Sequence, residues 1–284
     1  MSRADNAAPT RHIWLCADDY GIAPGVNKAI RDLIARGRLN ATSVMVAAPS
    51  FNSAEAASLA ALQPDERHIA IGLHVTLTAP FKPLSRDYSP LRGGAFLPLG
   101  ATLRAAFLRQ LDRERLAAEI AAQIEAFVTA FGRAPDFVDG HQHVQLFPQV
   151  RHAFLSVVKN AAPNAWVRQC GRVTPLSRRL AEPKALLLDV LSHSFRRHAR
   201  AYGLRTNPAF AGAYDFRAQP DFAALFPAFL DGLPAESVVM CHPGIVDDEL
   251  TRLDPLTTQR EKEYTYFASE AFPAALAAKA VALA

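Results

Sequence analysis

Short apolar runs that end in polar clusters place the strongest limit on what this chain can fold into. His12–Ala17 is such a run, and Thr42–Ala47, Ile69–Val75, Phe137–Gly140, Ala165–Arg168 and Ser237–His242 are others. Segments with helical spacing lie between them. Pro24–Arg36 has a proline in its first turn and Gly37 just past its end, as a helix prefers. Ser53–Leu62 and Pro148–Asn160 read the same way. Arg113–Phe131 is the clearest, with Leu116, Ile120, Ile124 and Phe127 on one stripe and Gly132 as its stop. Strand and helix in alternation predict a parallel sheet covered by helices. Roughly six to eight strands suit a closed barrel or an open doubly wound sheet, and periodicity does not separate the two.

Composition narrows the class. With 284 residues, half of them hydrophobic, the chain can bury a core without a staple. Thirty-one basic against 27 acidic residues leave a net charge of +4, too weak a field to point to nucleic acid. Cys16, Cys170 and Cys241 lie far apart, which fits a reducing compartment better than a disulfide framework. No apolar stretch reaches the roughly 18–20 residues of a membrane span. Met1–Arg11 is polar, without the apolar run of a secretory signal, and reads as a short disordered lead. The expectation is a cytoplasmic protein, residues 12–284 forming a single domain, with a homodimer as the reasonable assembly. Phe272–Ala284 reads as a final packed helix.

Two stretches interrupt the alternation. Thr78–Gly100 holds four prolines with Gly93, Gly94 and Gly100 and reads as a long loop, either a lid or substrate wall or a plain insertion. Arg172–Arg205 is rich in arginine and poor in acids. It reads as a solvated helix face or as a surface for an anionic substrate or lipid headgroup.

The chemistry gathers at four strand ends, where parallel α/β folds keep their sites. Asp18 and Asp19 follow the first run. Adjacent carboxylates beside apolar backbone repel each other, and a cation relieves that. Successive side chains on a strand point apart, so one carboxylate can face a metal and the other the substrate. The plain alternative is a helix cap ahead of Pro24. His74 ends the third run, where a lone histidine is otherwise a core residue. Asp139, His141 and His143 end the fourth. The two imidazoles share one face of an extended segment, and Asp139 can orient a ring from behind. His242, followed by Pro243 and Gly244, ends the last.

One carboxylate with two imidazoles is a common three-ligand set that leaves positions open for water. With a free Asp as base and a His as acid it makes a metal-assisted hydrolase. A Gly-x-Ser-x-Gly elbow, a P-loop and a Rossmann fingerprint are all absent from the sequence.

The clusters Ala17-Asp18-Asp19-Tyr20-Gly21, Gly72-Leu73-His74, Asp139-Gly140-His141-Gln142-His143-Val144 and His242-Pro243-Gly244 resemble those of the YdjC-like (ChbG/HpnK) carbohydrate deacetylases. Gly25-Val26-Asn27, Thr42-Ser43-Val44-Met45, Phe147-Pro148, Arg260 and Glu261 support the match, which runs from about Ile13 to the C-terminal helices. The resemblance implies an irregular seven-stranded (β/α) TIM-like barrel that hydrolyses an N-acetyl group from an acetylamino sugar. It implies one divalent ion, zinc or magnesium, held by Asp19, His74 and His141, with Asp18 as general base and His242 as general acid. Two imidazoles and one carboxylate suit zinc or another transition ion better than magnesium. Tyr20, His143 and Arg168 are the expected substrate contacts. Gln145 stands where the family often has a third histidine, and Tyr20 where it more often has Phe. The expected substrate is a small or oligomeric sugar. A lipid-linked (hopanoid-type) N-acetyl amine and a non-catalytic sugar-binding role on the same scaffold are the alternatives.

Overall fold

The computed structural model describes residues 9–63, 69–173 and 183–284. Most of the expected lead, residues 1–8, lies outside them, as do Arg178 and Arg179 of the arginine-rich stretch. The strands are β1 (Arg11–Tyr20), β2 (Ala41–Val44), β3 (Ala70–Val75), β4 (Leu91–Arg92), β5 (Ala95–Phe96), β6 (Phe137–Gly140), β7 (Trp166–Val167), β8 (Phe210–Ala211), β9 (Val238–Cys241) and β10 (Val281–Leu283). Seven of them lie side by side in the order β7-β6-β3-β2-β1-β9-β8, every neighbouring pair parallel. The sheet curls until its edges meet. Val167 bridges Thr206 in the parallel sense, and the Phe210 amide donates to Gly171 O at 3.1 Å. This is the irregular α/β barrel the resemblance implied, where periodicity had left barrel and open sheet undivided.

Strands covered on both faces are apolar almost throughout. β3 is buried at every position, and a Cβ at Gly72 would run into the Phe137 ring of β6. Glycine there lets the two strands close. The predicted helix Arg113–Phe131 forms as read. Asp112 caps it by accepting from Glu114 N at 2.9 Å and Arg115 N at 3.2 Å, and Gly132 ends it in the left-handed conformation. Such a cap contributes about 1 kcal/mol. Its buried stripe includes Leu116, Ile120, Ile124 and Phe127.

The chain's last stretch departs from the expected helix, which covers Ala271–Ala278 only. Val281–Leu283 then runs as β10 alongside Arg11–Ile13. Pairing with β9 begins only at Trp14 and with β2 only at Cys16, so the first residues of β1 need another partner for their backbone groups. That demand overrides the helical bias of an Ala/Leu tail.

The Thr78–Gly100 stretch also has more order than a loop. β4 and β5 pair as a hairpin around Gly93 and Gly94, both at positive φ, a turn that glycine favours. A helix, Leu99–Phe107, follows. Two fully buried side chains of helix Arg113–Phe131 hold the entry to this segment. Glu119 accepts from Leu84 N and Ser85 N at 3.1 and 2.8 Å. Gln123 accepts from Thr76 N at 2.9 Å and donates to Thr76 O at 2.8 Å.

In the arginine-rich stretch, helix Pro183–Ala201 buries Leu191, Phe195 and Ala199 and exposes Arg196, Arg197 and Arg200. Among the described residues no helix is long and apolar enough to cross a membrane.

Candidate active site

The strand-end clusters converge at the carboxyl mouth of the barrel. At the end of β1 the pairing register shifts between Ala17 and Tyr20, and Asp19 takes φ +70°. A non-glycine residue there costs on the order of 1–3 kcal/mol. The kink turns the two neighbouring carboxylates into different surroundings.

Asp19 Oδ1 lies 3.0 Å from His141 Nδ1 and 3.3 Å from His74 Nε2. The three residues are buried, and their donor atoms all lie within 4.8 Å of one another. Arg260 reaches Asp19 Oδ2 at 2.6 Å and Asp254 at 2.6 Å. His74 is set from behind, since Asp139 Oδ1 is 2.6 Å and Ser43 Oγ 3.0 Å from its Nδ1. That bond leaves Nε2 for Asp19, the arrangement usual for a metal-ligating imidazole. The Phe81 ring meets the His141 ring edge-on at 5.6 Å.

Asp18 belongs to a second group. Arg168 donates to both its oxygens, at 2.8 and 2.7 Å, and Ser43 donates at 3.0 Å. Arg168 also reaches Asp139 Oδ2 at 2.5 Å. Cys16, Asp18 and Asp139 form a further set of close donor atoms, but the Arg168 guanidinium already supplies their cation.

Electrostatics follows from this packing. Burial pushes both Asp18 and Asp19 up, yet Arg168 with His74, and Arg260 with His141, outweigh it and hold both carboxyls below their ordinary range. Burial pushes His74 down, but Asp139 and Asp18 raise it to about 10. Three buried carboxylates (Asp18, Asp19 and Asp139) face two buried guanidiniums (Arg168 and Arg260). The two guanidiniums are each shared between carboxylates, and the ligand-like donors of His74 and His141 face one another at Asp19. A divalent cation fits that donor set.

His242 sits at the rim, its ring edge-on to Phe216 at 5.4 Å. Its Nδ1 is buried and has no hydrogen-bond partner among the described residues. Burial holds it down to about 4, with Asp19 opposing and Arg260 reinforcing. Its backbone N–H donates to Glu263 Oε2 at 2.5 Å, and Tyr214 donates to the other Glu263 oxygen at 2.6 Å. Burial raises Glu263 to about 7, the Tyr214 hydroxyl, the His242 N–H and Arg260 working against it and Asp18 with it.

The structure thus gathers Asp18, Asp19, His74, His141, Arg168, His143 and His242 around one mouth. His143 is close enough for Arg168, Asp18 and His242 to act on its charge. Two expected substrate contacts have other partners. Arg168 is fully buried against Asp18 and Asp139. Tyr20 turns away, its hydroxyl donating to Glu55 Oε2 at 2.8 Å and accepting from Arg31 at 2.9 Å. Sequence reading gave Ser43 no role beyond the motif match, and did not single out Glu263 or Phe81. Ser43 had a signal, as a polar residue inside an apolar strand. Glu263 had one too, because Gln259, Glu263 and Phe267 fall on one face at helical spacing and all are buried.

A model of the YdjC-like protein family matches residues 12–278. Among solved structures, a protein from Enterococcus faecalis V583, provisionally described as a cellobiose-phosphate cleavage protein, is 21% identical with a TM-score of 0.75 over 97% of each chain. The lactam utilization protein from Thermus thermophilus is 16% identical with a TM-score of 0.54, over 96% of this chain and 98% of that one. At such identities the likeness speaks for the fold they share.

Proposed function

The chain belongs to the YdjC-like protein family, and on that premise we propose that it is a hydrolase that removes an N-acetyl group from an acetylamino sugar or glycoconjugate. The observation that carries this reading is the meeting of Asp19, His74 and His141 donor atoms within 4.8 Å, beside a second carboxylate, Asp18, that they do not use.

Asp19, His74 and His141 would hold one divalent ion, and two imidazoles with one carboxylate favour zinc or another transition ion over magnesium. Such an ion, when bound, polarises an amide carbonyl and makes a water more acidic. Asp18 is the general base. It stays ionised across the working range, and Arg168 and Ser43 fix the direction of its free lone pairs. It takes a proton from the attacking water. His242 delivers a proton to the departing amine, and its unpartnered Nδ1 is the atom available for proton exchange. His242 rests neutral, so the proton it delivers comes from the water: the proton that Asp18 accepts passes on to His242 and then to the amine, and Asp18 is left ionised again. The products are acetate and a free amino sugar. Arg168 serves by holding Asp18, and His143 remains the proposed substrate contact.

The test is acetate release from N-acetylglucosamine oligomers, with chelated protein refilled with zinc, magnesium, manganese or cobalt. Release restored by one ion is the expected result. Metal bound at Asp19, His74 and His141 with no release from free or lipid-linked acetyl sugars would overturn the reaction.

A further inference from the structure

Gln142 and His143 follow His141, a proposed metal ligand, at φ +54° and +59°. Two consecutive non-glycine residues in the left-handed region are costly, and side-chain contacts hold the second of them. The His143 ring stands edge-on to Phe210, with centroids 5.7 Å apart. Its Nδ1 lies 3.5 Å from Cys170 Sγ. Cys170 is buried, and its backbone N–H is fixed by Ser192 Oγ at 2.9 Å.

The direction of the Cys170–His143 contact follows from the groups around the sulfur. Gln145 Nε2 lies 3.1 Å from Arg168 O. A carbonyl can only accept, so this end of the amide is the NH2 group. Its second hydrogen is directed at Cys170 Sγ, 3.7 Å away. The sulfur therefore accepts from Gln145 and has its S–H left to give. His143 Nδ1 stands within reach to receive it. A neutral imidazole that accepts at Nδ1 carries its hydrogen on Nε2.

We infer that Gln145 and Cys170 lock His143 as its Nε2–H tautomer, so that it offers substrate a hydrogen-bond donor and selects an acceptor oxygen, a sugar hydroxyl or carbonyl, over a donor. The substrate part of this inference rests on the proposed function, and the tautomer part does not. Gln145 and Cys170 are positioning residues, acting through His143.

Two substitutions at one small side chain test it. Cys170→Ala removes the donor, and Cys170→Ser keeps one. Nitrogen-15 NMR of the metal-loaded protein, with His143 assigned by substitution, reads the tautomer directly. The wild type and Cys170→Ser are expected to show a pyridine-type Nδ1 and a pyrrole-type Nε2, and Cys170→Ala a mixture. With N-acetylglucosamine oligomers as substrate, Cys170→Ala should raise KM roughly 3- to 10-fold, the range of one neutral hydrogen bond. Its kcat should change less than twofold, and Cys170→Ser should restore KM. A wild-type His143 protonated on Nδ1 overturns the inference, as does a Cys170→Ala protein with unchanged nitrogen shifts. An enzyme silent on acetyl sugars would count against the proposed function alone, since the nitrogen shifts would still decide the tautomer.

Discussion

Arg168 grips Asp18 with two parallel N–H···O bonds of 2.8 and 2.7 Å, and both side chains are sealed from solvent. A lysine keeps the charge but cannot make the fork. Arg168→Lys should fold and bind metal, with kcat reduced by roughly 10-fold or more as Asp18 loses its orientation. Arg168→Met leaves Asp18 and Asp139 buried without their cation, and should lower stability by about 3–5 kcal/mol. Steady-state kinetics and thermal melts of the two variants check this. A lysine variant with full turnover would detach the fork from catalysis.

The two neighbouring aspartates should fail in different ways. Asp18→Asn should cut kcat by a factor on the order of 100 and leave metal affinity nearly unchanged. Asp19→Asn removes a charged donor and should weaken the metal instead. Titration against a chromophoric chelator, run beside the kinetics, separates the two defects. Identical behaviour of the pair would refute the division of labour.

Asp139 touches no proposed substrate, yet it holds His74 Nδ1 at 2.6 Å. Asp139→Asn should lower metal affinity by roughly 10- to 100-fold, the usual effect of losing a carboxylate behind a ligating imidazole. The same chelator competition reads it. Unchanged affinity would mean that Ser43, 3.0 Å from the same nitrogen, sets the ring unaided.

Glu263 gives a pH dependence of known sign. Its carboxyl is raised from 4.5 to about 7 in the folded protein, burial being the main cause. Between those values the folded state holds more protons there than the unfolded state, so this group's contribution is full below 4.5 and lost as pH rises through about 7. Glu263→Gln should remove that fall. The gap in melting temperature between variant and wild type should therefore change in the variant's favour from pH 4.5 to 7 and level off above. A gap constant with pH would show that Glu263 does not titrate in this window.

The parallel sheet was legible because six of its strands wrote themselves as apolar runs, and the site because Asp19, His74 and His141 each stood where such a run ended; β8, two residues long, left no run, and barrel closure came only from the resemblance. What stayed hidden was whatever depends on long-range pairing. Nothing local marks the tail at Val281 as a strand. Its conformation follows from pairing with Arg11–Ile13, some 270 residues away. Arg168 read as a substrate contact because a strand-end arginine carries no sign of which anion it meets, and here two aspartates had already claimed it. The partners of Tyr20 were hidden for a related reason. The kink at Asp19 breaks the alternation on which facing is judged, and the tyrosine hydroxyl goes to Glu55 and Arg31.

The anchoring of Leu84 and Ser85 on the Glu119 carboxylate has a dynamic consequence. Phe81, three residues before this anchor, lies against His141, so the wall of the mouth and a ring of the proposed metal site share one packed unit. Their backbone amides cannot meet solvent deuterium without freeing Glu119 from its burial. Exchange at Leu84 and Ser85 should then run at the pace of the whole helix Arg113–Phe131, and the segment behaves as a rigid jamb rather than a swinging door.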